Sequence, residues 1–327
     1  MRAALCRAHG EPEVVEVVEV DPPALGPGQV RVRVEAAAVN FPDVLLVAGR
    51  YQVVVPPPFV PGSELAGVVS ETAGDVTTVR VGDRVFASTM IGAFAEEAVL
   101  PAAAVTPIPE GVDAPIAAAF GVAHRTAYHV LRSVAQVQPG ERVLVLGAGG
   151  GVGLAAVQLA VLLGAEVTAV ASSAEKLAVA AEHGAARGID RRSGDLREAL
   201  RAAVPEGVDV VVDPVGGDCS EPALRSLRWG GRFVTVGYAS GTIPRIPLNL
   251  VLLKGVRIMG FEFAGFMKHA SGQLARDERE LLDHLAAGRA SPHVGARFAL
   301  EDTAAALRLV ADGAAVGKVV IDVAGRP

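Results

Sequence analysis

The apolar and polar positions of the chain fall into two rhythms. Up to about residue 120, short alternating segments predict strands at Val14–Val20, Gln29–Val39, Leu65–Gly74, Val79–Ala87 and within Ala93–Pro109. Proline- and glycine-rich turns such as Asp21–Gly28 separate them. Asp113–His129 turns helical and leads through Pro139-Gly140 into the second rhythm. From Glu141 onward, apolar strands alternate with helical patterns. Strands are expected at Val143–Leu146, Glu166–Ala171, Ala186–Ile189, Val208–Gly217, Gly231–Ala239 and Val256–Phe263. Helices are expected at Leu154–Gly164, Glu175–Gly184, Asp195–Val204 and Glu221–Leu227. Six such units describe an α/β fold, a doubly wound parallel sheet of order 3-2-1-4-5-6. After Phe263 come a helix over Ala275–Gly288, a short strand, a helix from Asp302 and a strand at Gly317–Val323. That tail is too short for a domain and is expected to fold back onto the first. The expected domains are therefore 1–122 plus 264–327, and 123–263.

The stretch Val143–Gly153, VLVLGAGGGVG, anchors the second rhythm. An unbroken apolar run suits a strand buried on both faces. A glycine turn and a helix follow at once, which is the context of a dinucleotide site. The turn admits the pyrophosphate close to the backbone, and the helix start aims unpaired N–H groups at it. Ala148, Gly149, Gly150, Gly151 and Val152 are the expected contacts. The spacing departs from GxGxxG, because Val152 stands where the third glycine would fall and Gly153 follows it.

The end of the second strand indicates which dinucleotide. An NAD site places an acid there to accept from the ribose hydroxyls and repel a 2′-phosphate. Here the chain reads Ala171-Ser172-Ser173-Ala174, and Glu175 is expected to open the following helix, where an acid suits the dipole. Lys176 is one of only four lysines in the chain, with Lys254, Lys268 and Lys318. Two hydroxyls (Ser172, Ser173) and a lysine suit NADPH. The weaker alternative is a capped helix with a solvated lysine, which leaves the missing acid unexplained.

Composition narrows the partners. Net charge is −6 with no basic stripe interleaved with aromatics, so no nucleic acid is expected. The N-terminus meets glutamates before any apolar run, and the long apolar runs are broken well short of a span, so neither a signal peptide nor a membrane is expected. Two distant cysteines, Cys6 and Cys219, fit a reducing cytoplasm. The apolar last strand of the sheet would be an edge, and an uncovered apolar edge invites pairing, so a homodimer is expected.

Taken together, GPGQVRVRVEAAAVNFPD, PGSELAGVV, VGDRVFA, AHRTAYHVL, the glycine turn, the run from Asp213 to Gly255 and the terminal GKVV make the chain resemble the medium-chain dehydrogenase/reductase superfamily. It is most similar to the zinc-free quinone oxidoreductases within it. The resemblance covers essentially the full length and implies a GroES-like β-rich catalytic domain beside a Rossmann sheet. In zinc-dependent relatives a cysteine occupies the position of Asn40, and a His-Glu pair follows the glycine at Gly62. This chain has Asn40 and Ser63-Glu64, and it lacks a four-cysteine lobe, so no metal site is expected.

The resemblance implies an NADPH-dependent reductase of quinones or other α,β-unsaturated carbonyl compounds acting on a small-molecule substrate. The alternatives are an enoyl-thioester reductase and an NADPH-binding protein with little turnover. By resemblance, Asn40, Asp43 and Tyr51 lie toward the nicotinamide. Asn40 is expected as an oxyanion donor, Tyr51 as a hydrogen-bond or proton donor, and Asp43 as the residue that orients them. A turn-forming Asn40 and a lid contact at Tyr51 remain open alternatives. The resemblance also assigns Thr126, Arg191, Gly237, Tyr238, Phe261, Phe263 and Lys318 to the cofactor. Phe261, Phe263 and Phe266 suit a pocket wall or ordinary core, and His124 and His129 receive no role.

Overall fold

The alternation of the first 120 residues folds as a hairpin, β1 (Arg2–Cys6) and β2 (Val15–Glu19), followed by the long strand β3 (Gln29–Val39). The computed structural model describes residues 1–324. Helix α1 (Phe41–Val47) follows, then β4 (Glu64–Thr72), β5 (Arg84–Ser88), β6 (Glu97–Pro101), β7 (Val105–Pro107) and α2 (Ala114–Phe120). The segment Val79–Ala87 does not run as one strand. Asp83 accepts the Arg80 N–H at 2.9 Å and Gly82 sits at φ +95, so a turn precedes β5.

The expected helix over Asp113–His129 splits at Gly121-Val122, where the chain passes into a second compact unit, Ala123–Ala290. It opens with α3 (Ala123–His129), whose last turn widens into a π-helical segment over Val130–Val134. Strand β8 (Arg142–Leu146), α4 (Gly151–Leu162), β9 (Glu166–Ala171), α5 (Ala174–Glu182), β10 (Arg187–Asp190) and α6 (Leu196–Ala203) alternate as the pattern requires. They continue as β11 (Val208–Asp213), α7 (Ser220–Arg225), β12 (Leu227–Thr235), α8 (Leu248–Lys254) and β13 (Arg257–Gly260). The strands pair in parallel in the order β10-β9-β8-β11-β12-β13, which is 3-2-1-4-5-6. The sixth strand stops at Gly260 because Glu262 caps the N–H groups of Ala264 and Gly265 and starts α9 (Phe263–His269).

Residues 264–290 correct the expected domain boundary. They belong to the second unit, with α10 (Ser271–Ala286) returning alongside α3. The reason is electrostatic as well as apolar. Asp277, Glu278 and Glu280 bond to His129, Arg125, Tyr128 and Arg132, while Leu281 and Leu285 are buried.

From Ser291 the chain rejoins the first unit as β14 (Val294–Ala299), α11 (Thr303–Ala311) and β15 (Lys318–Asp322). The sheet there runs β14-β15-β3-β4-β5-β7, and β6 pairs with β3. Two registers matter for function. Antiparallel pairing of β15 with β3 matches Val319 to Val39, and β3 with β4 matches Ala37 to Leu65. Those registers bring Lys318, Asn40, Ser63 and Glu64 to the same end of the sheet.

Candidate functional site

The sheet end in the first unit carries a buried polar cluster. The Lys318 ammonium donates to Glu64 Oε1 at 2.7 Å, to Asn40 Oδ1 at 2.6 Å and to the Val39 carbonyl at 3.0 Å. Asn40 Nδ2 donates to the same Glu64 oxygen at 2.9 Å and to Ser63 Oγ at 3.1 Å. The other Glu64 oxygen accepts the Val122 N–H at 2.6 Å. Glu64 is fully buried and Lys318 nearly so. Turning the Asn40 amide over would set its NH2 against the ammonium, so the network fixes its orientation.

This geometry bears on the expected roles of Asn40 and Lys318. Both amide hydrogens of Asn40 are committed inside the network, so it has none left for an oxyanion. All three Lys318 hydrogens are engaged as well, with Glu64, Asn40 and the Val39 carbonyl. The sequence pattern did not indicate the partners of Glu64, because they lie 24 and 254 residues away.

Asp43 occupies the first turn of α1 and is completely buried. Its Oδ2 accepts the Asn40 N–H at 2.7 Å, and Oδ1 finds no hydrogen-bond partner among the described residues. Burial pushes its pKa up to about 7, against the pull of the Asn40 N–H, the Ser63 hydroxyl and the Lys318 charge. The folded chain therefore holds a proton that the unfolded chain releases near pH 4. The Asp43 contribution to stability falls as pH rises from there to about 7 and is level above. Asp43→Asn keeps an acceptor for the Asn40 N–H and removes the buried charge. It is expected to flatten the melting temperature between pH 4 and pH 7 and to gain up to ~4 kcal/mol at pH 8. A variant melting with the wild-type pH slope would contradict this. Tyr51 lies just past α1, half-buried, and packs against the apolar core of the first unit.

In the second unit the glycine turn follows β8. Gly147 has φ +62, a conformation that favours glycine, and a Cβ on Gly153 would lie 2.0 Å from the Gly147 carbonyl oxygen. Gly153, one place later than the usual spacing, thus permits the close packing of turn and helix. Helix α4 begins at Gly151 with Gly150 as its N-cap and no capping side chain. Its first N–H groups, including those of Gly151 and Val152, are left as donors for an anion. Ala148 is tied to the end of β9 through its N–H on the Val170 carbonyl at 3.0 Å.

Across that turn lies Lys176. A Cβ on Gly149 would fall 2.4 Å from the Lys176 Cβ, so the lysine stem covers the glycine. Ser173 Oγ accepts the Lys176 N–H at 3.3 Å and caps α5; Ser172 precedes it. Arg191 is set beside the end of β9 by its N–H on the Ala171 carbonyl at 2.9 Å. Burial holds the Lys176 pKa below its ordinary value, and the Arg192 and Arg191 charges add to the effect. Lys176 therefore shares its surroundings with two arginines, of which Arg192 escaped the sequence reading.

The other strand ends complete this edge of the sheet. Asp213 accepts from the N–H groups of Val215 and Gly216, each at 2.8 Å, and from the Ser220 hydroxyl at 2.5 Å, fixing the turn after β11. The loop carrying Gly237 and Tyr238 is tied to that turn by the N–H groups of Ala239 and Ser240. Thr126 is buried on α3, which is linked to α4 by a 3.1 Å bond between His124 and Gln158. Phe261 and Phe263 join Phe266 around the buried ring of His129. Among the described residues no group of three His, Cys, Asp or Glu side chains is placed to hold a metal.

The two units thus have the architecture of a GroES-like domain and a Rossmann-type dinucleotide-binding domain. Family models match both: "Alcohol dehydrogenase GroES-like domain" over residues 26–110 and "Zinc-binding dehydrogenase" over residues 151–285. A bovine protein called quinone oxidoreductase-like protein 2 is 41% identical over 322 residues, covering 98% of this chain and 92% of its own. The quinone oxidoreductase of Thermus thermophilus, solved alone and with NADPH, superposes with a TM-score of 0.86 at 34% identity, over 99% of this chain and 100% of its own. The Escherichia coli quinone oxidoreductase complexed with NADPH gives 0.90 at 29%, with the same two coverages. The chain belongs to the medium-chain dehydrogenase/reductase superfamily and, within it, to the quinone oxidoreductase-like proteins.

Proposed function

We propose that the protein is an NADPH-dependent reductase of quinones or other α,β-unsaturated carbonyl compounds that works without a catalytic metal. The observation that carries this reading is the Lys318–Glu64–Asn40 network. Where zinc relatives place ligands, this chain has an amide and a hydroxyl, and the neighbouring carboxylate is neutralised by an ammonium. Such a set does not fit zinc, which takes about three His, Cys or carboxylate ligands.

The second unit fits NADPH. The Gly147–Gly153 turn and the start of α4 suit the pyrophosphate, and Lys176, Arg191 and Arg192 suit a 2′-phosphate. Bound there, NADPH supplies a hydride to an electron-poor carbon. The chain's own part is orientation, together with a donor for the oxygen on which charge builds; with Asn40 committed elsewhere, Tyr51 is that donor. Asp43 holds the turn that carries Asn40. Steady-state assays should show NADPH oxidation by quinones or enones. Oxidation of a primary alcohol with NADP at a comparable rate would contradict the assignment.

The protein acts as a homodimer in this reading. Strand β13 is the sheet's last, and Trp229, Leu248, Leu252, Leu253 and Ile258 stand exposed on β12, α8 and β13. Light scattering at the mass of one chain over a wide concentration range would refute it. The unpaired Cys6 and Cys219 suit the cytoplasm, and no helix among the described residues is long and apolar enough to cross a membrane.

A further inference from the structure

His129 sits at the end of α3 with no exposed surface, and both ring nitrogens face carboxylates. Nδ1 is 3.0 Å from Asp277 Oδ2 and Nε2 is 3.0 Å from Glu278 Oε1, both on α10. An ionised carboxylate only accepts hydrogen bonds, and a neutral imidazole has a single N–H. Two such contacts therefore require the imidazolium. Burial favours protonated carboxyls, but His129 and further donors outweigh it and hold both below their ordinary range. For Asp277 those donors are the Ser133 hydroxyl at 2.5 Å and Arg276; for Glu278, Arg125 at 2.7 Å.

The same ring touches the segment that leaves β13. Phe261 stacks on it at 6.2 Å, Phe263 lies at 5.7 Å and Phe266 at 4.8 Å, while the Arg125 guanidinium covers Phe263 at 4.8 Å. A cation facing aromatic rings in a dry setting is attracted to them, and that attraction goes with the charge. The charged ring therefore fastens three elements: α3, α10 and the turn into α9.

We propose that His129 is a positioning residue whose imidazolium clamps the Phe261–Phe266 segment to α3 and α10, so that losing its proton loosens the segment and weakens NADPH binding. The second half rests on the functional reading above, in which Phe261 and Phe263 meet the cofactor. The direction follows from the site. Burial opposes the charge on His129, yet Asp277 and Glu278 raise its pKa above the ordinary value. The clamp is complete below about pH 6.5 and opens as pH rises through the folded-state value. The charged groups that set this point are Asp277, Glu278 and Arg276 on α10 and Arg125 on α3; the β13–α9 segment brings its rings and the carboxylate of Glu262, which accepts from the N–H groups of Ala264 and Gly265.

The test uses the full chain across pH. Histidine ring NMR follows the His129 titration, hydrogen exchange corrected for intrinsic rate follows residues 261–270, and fluorescence gives the NADPH Kd. The expected result is a ring titrating above pH 6.5, with faster exchange and an NADPH Kd rising about tenfold through the same pH interval. Glu278→Gln keeps an acceptor for Nε2 and removes one charge, so all three transitions should move down by about one pH unit. A purely structural His129 would show no such coordinated shift. A ring titrating at or below 6.5, or exchange that ignores its titration, would overturn the clamp. Faster exchange with an unchanged Kd would overturn the positioning role. Absence of NADPH binding at pH 6, where the clamp is closed, would instead count against the functional reading, while the ring and exchange data still decide the clamp.

Discussion

Replacing Lys176 and Arg191 together by alanine raises the KM for NADPH by about a hundredfold or more and leaves that for NADH nearly unchanged. Hydrogen bonds to charged groups contribute ~1.5–3 kcal/mol each, and ~1.4 kcal/mol is a factor of ten. The depressed pKa of Lys176, caused by burial and by Arg192 and Arg191, describes a cationic cluster that an anion would relieve. The Lys176 stem also covers Gly149, so a variant that keeps the stem isolates the charge. Lys176→Met separates the two effects, since it keeps the stem and removes the charge. Steady-state constants for NADPH and NADH with each variant are the check. Equal losses for both cofactors in the methionine variant would contradict a phosphate role.

Lys318→Met lowers stability by about 3–5 kcal/mol, the cost of leaving a buried carboxylate without its partner. Glu64 would keep the Asn40 and Val122 donors, but its charge would have no neutralising cation. The double variant Lys318→Met, Glu64→Gln removes that charge and is expected to recover most of the loss. Thermal melts of the two single variants and the double give the coupling directly. A double variant as unstable as Lys318→Met would show that the lysine matters through packing alone.

Much of the architecture could be read in the sequence, and the reason is periodicity. Strands buried on both faces of a parallel sheet read as unbroken apolar runs, and their alternation with helices gave the order of the second unit. The hidden parts depend on contacts distant along the chain. Lys318, Asn40 and Glu64 meet only because two antiparallel registers align them, and neither register can be counted from the sequence. The commitment of both Asn40 hydrogens follows from that meeting, so the donor role expected for Asn40 could not have been rejected beforehand. Segment 264–290 hides its membership in the second unit for the same reason. Its acidic face reads as a solvated helix surface until His129, Arg125 and Arg132 of the second unit are seen to meet it. The displaced third glycine was legible as a departure, but its purpose required the 2.0 Å approach at Gly153.

The proposed metal-free hydride delivery from NADPH to an electron-poor carbonyl compound is tested in a single turnover. Stopped-flow mixing of the chelator-treated protein–NADPH complex with a quinone and, separately, with an enone follows the step itself. The NADPH absorbance is expected to fall with at least one of these acceptors, at a rate that added zinc does not change. Absence of NADPH oxidation by either acceptor, or turnover abolished by the chelator and restored by zinc, would rule the mechanism out.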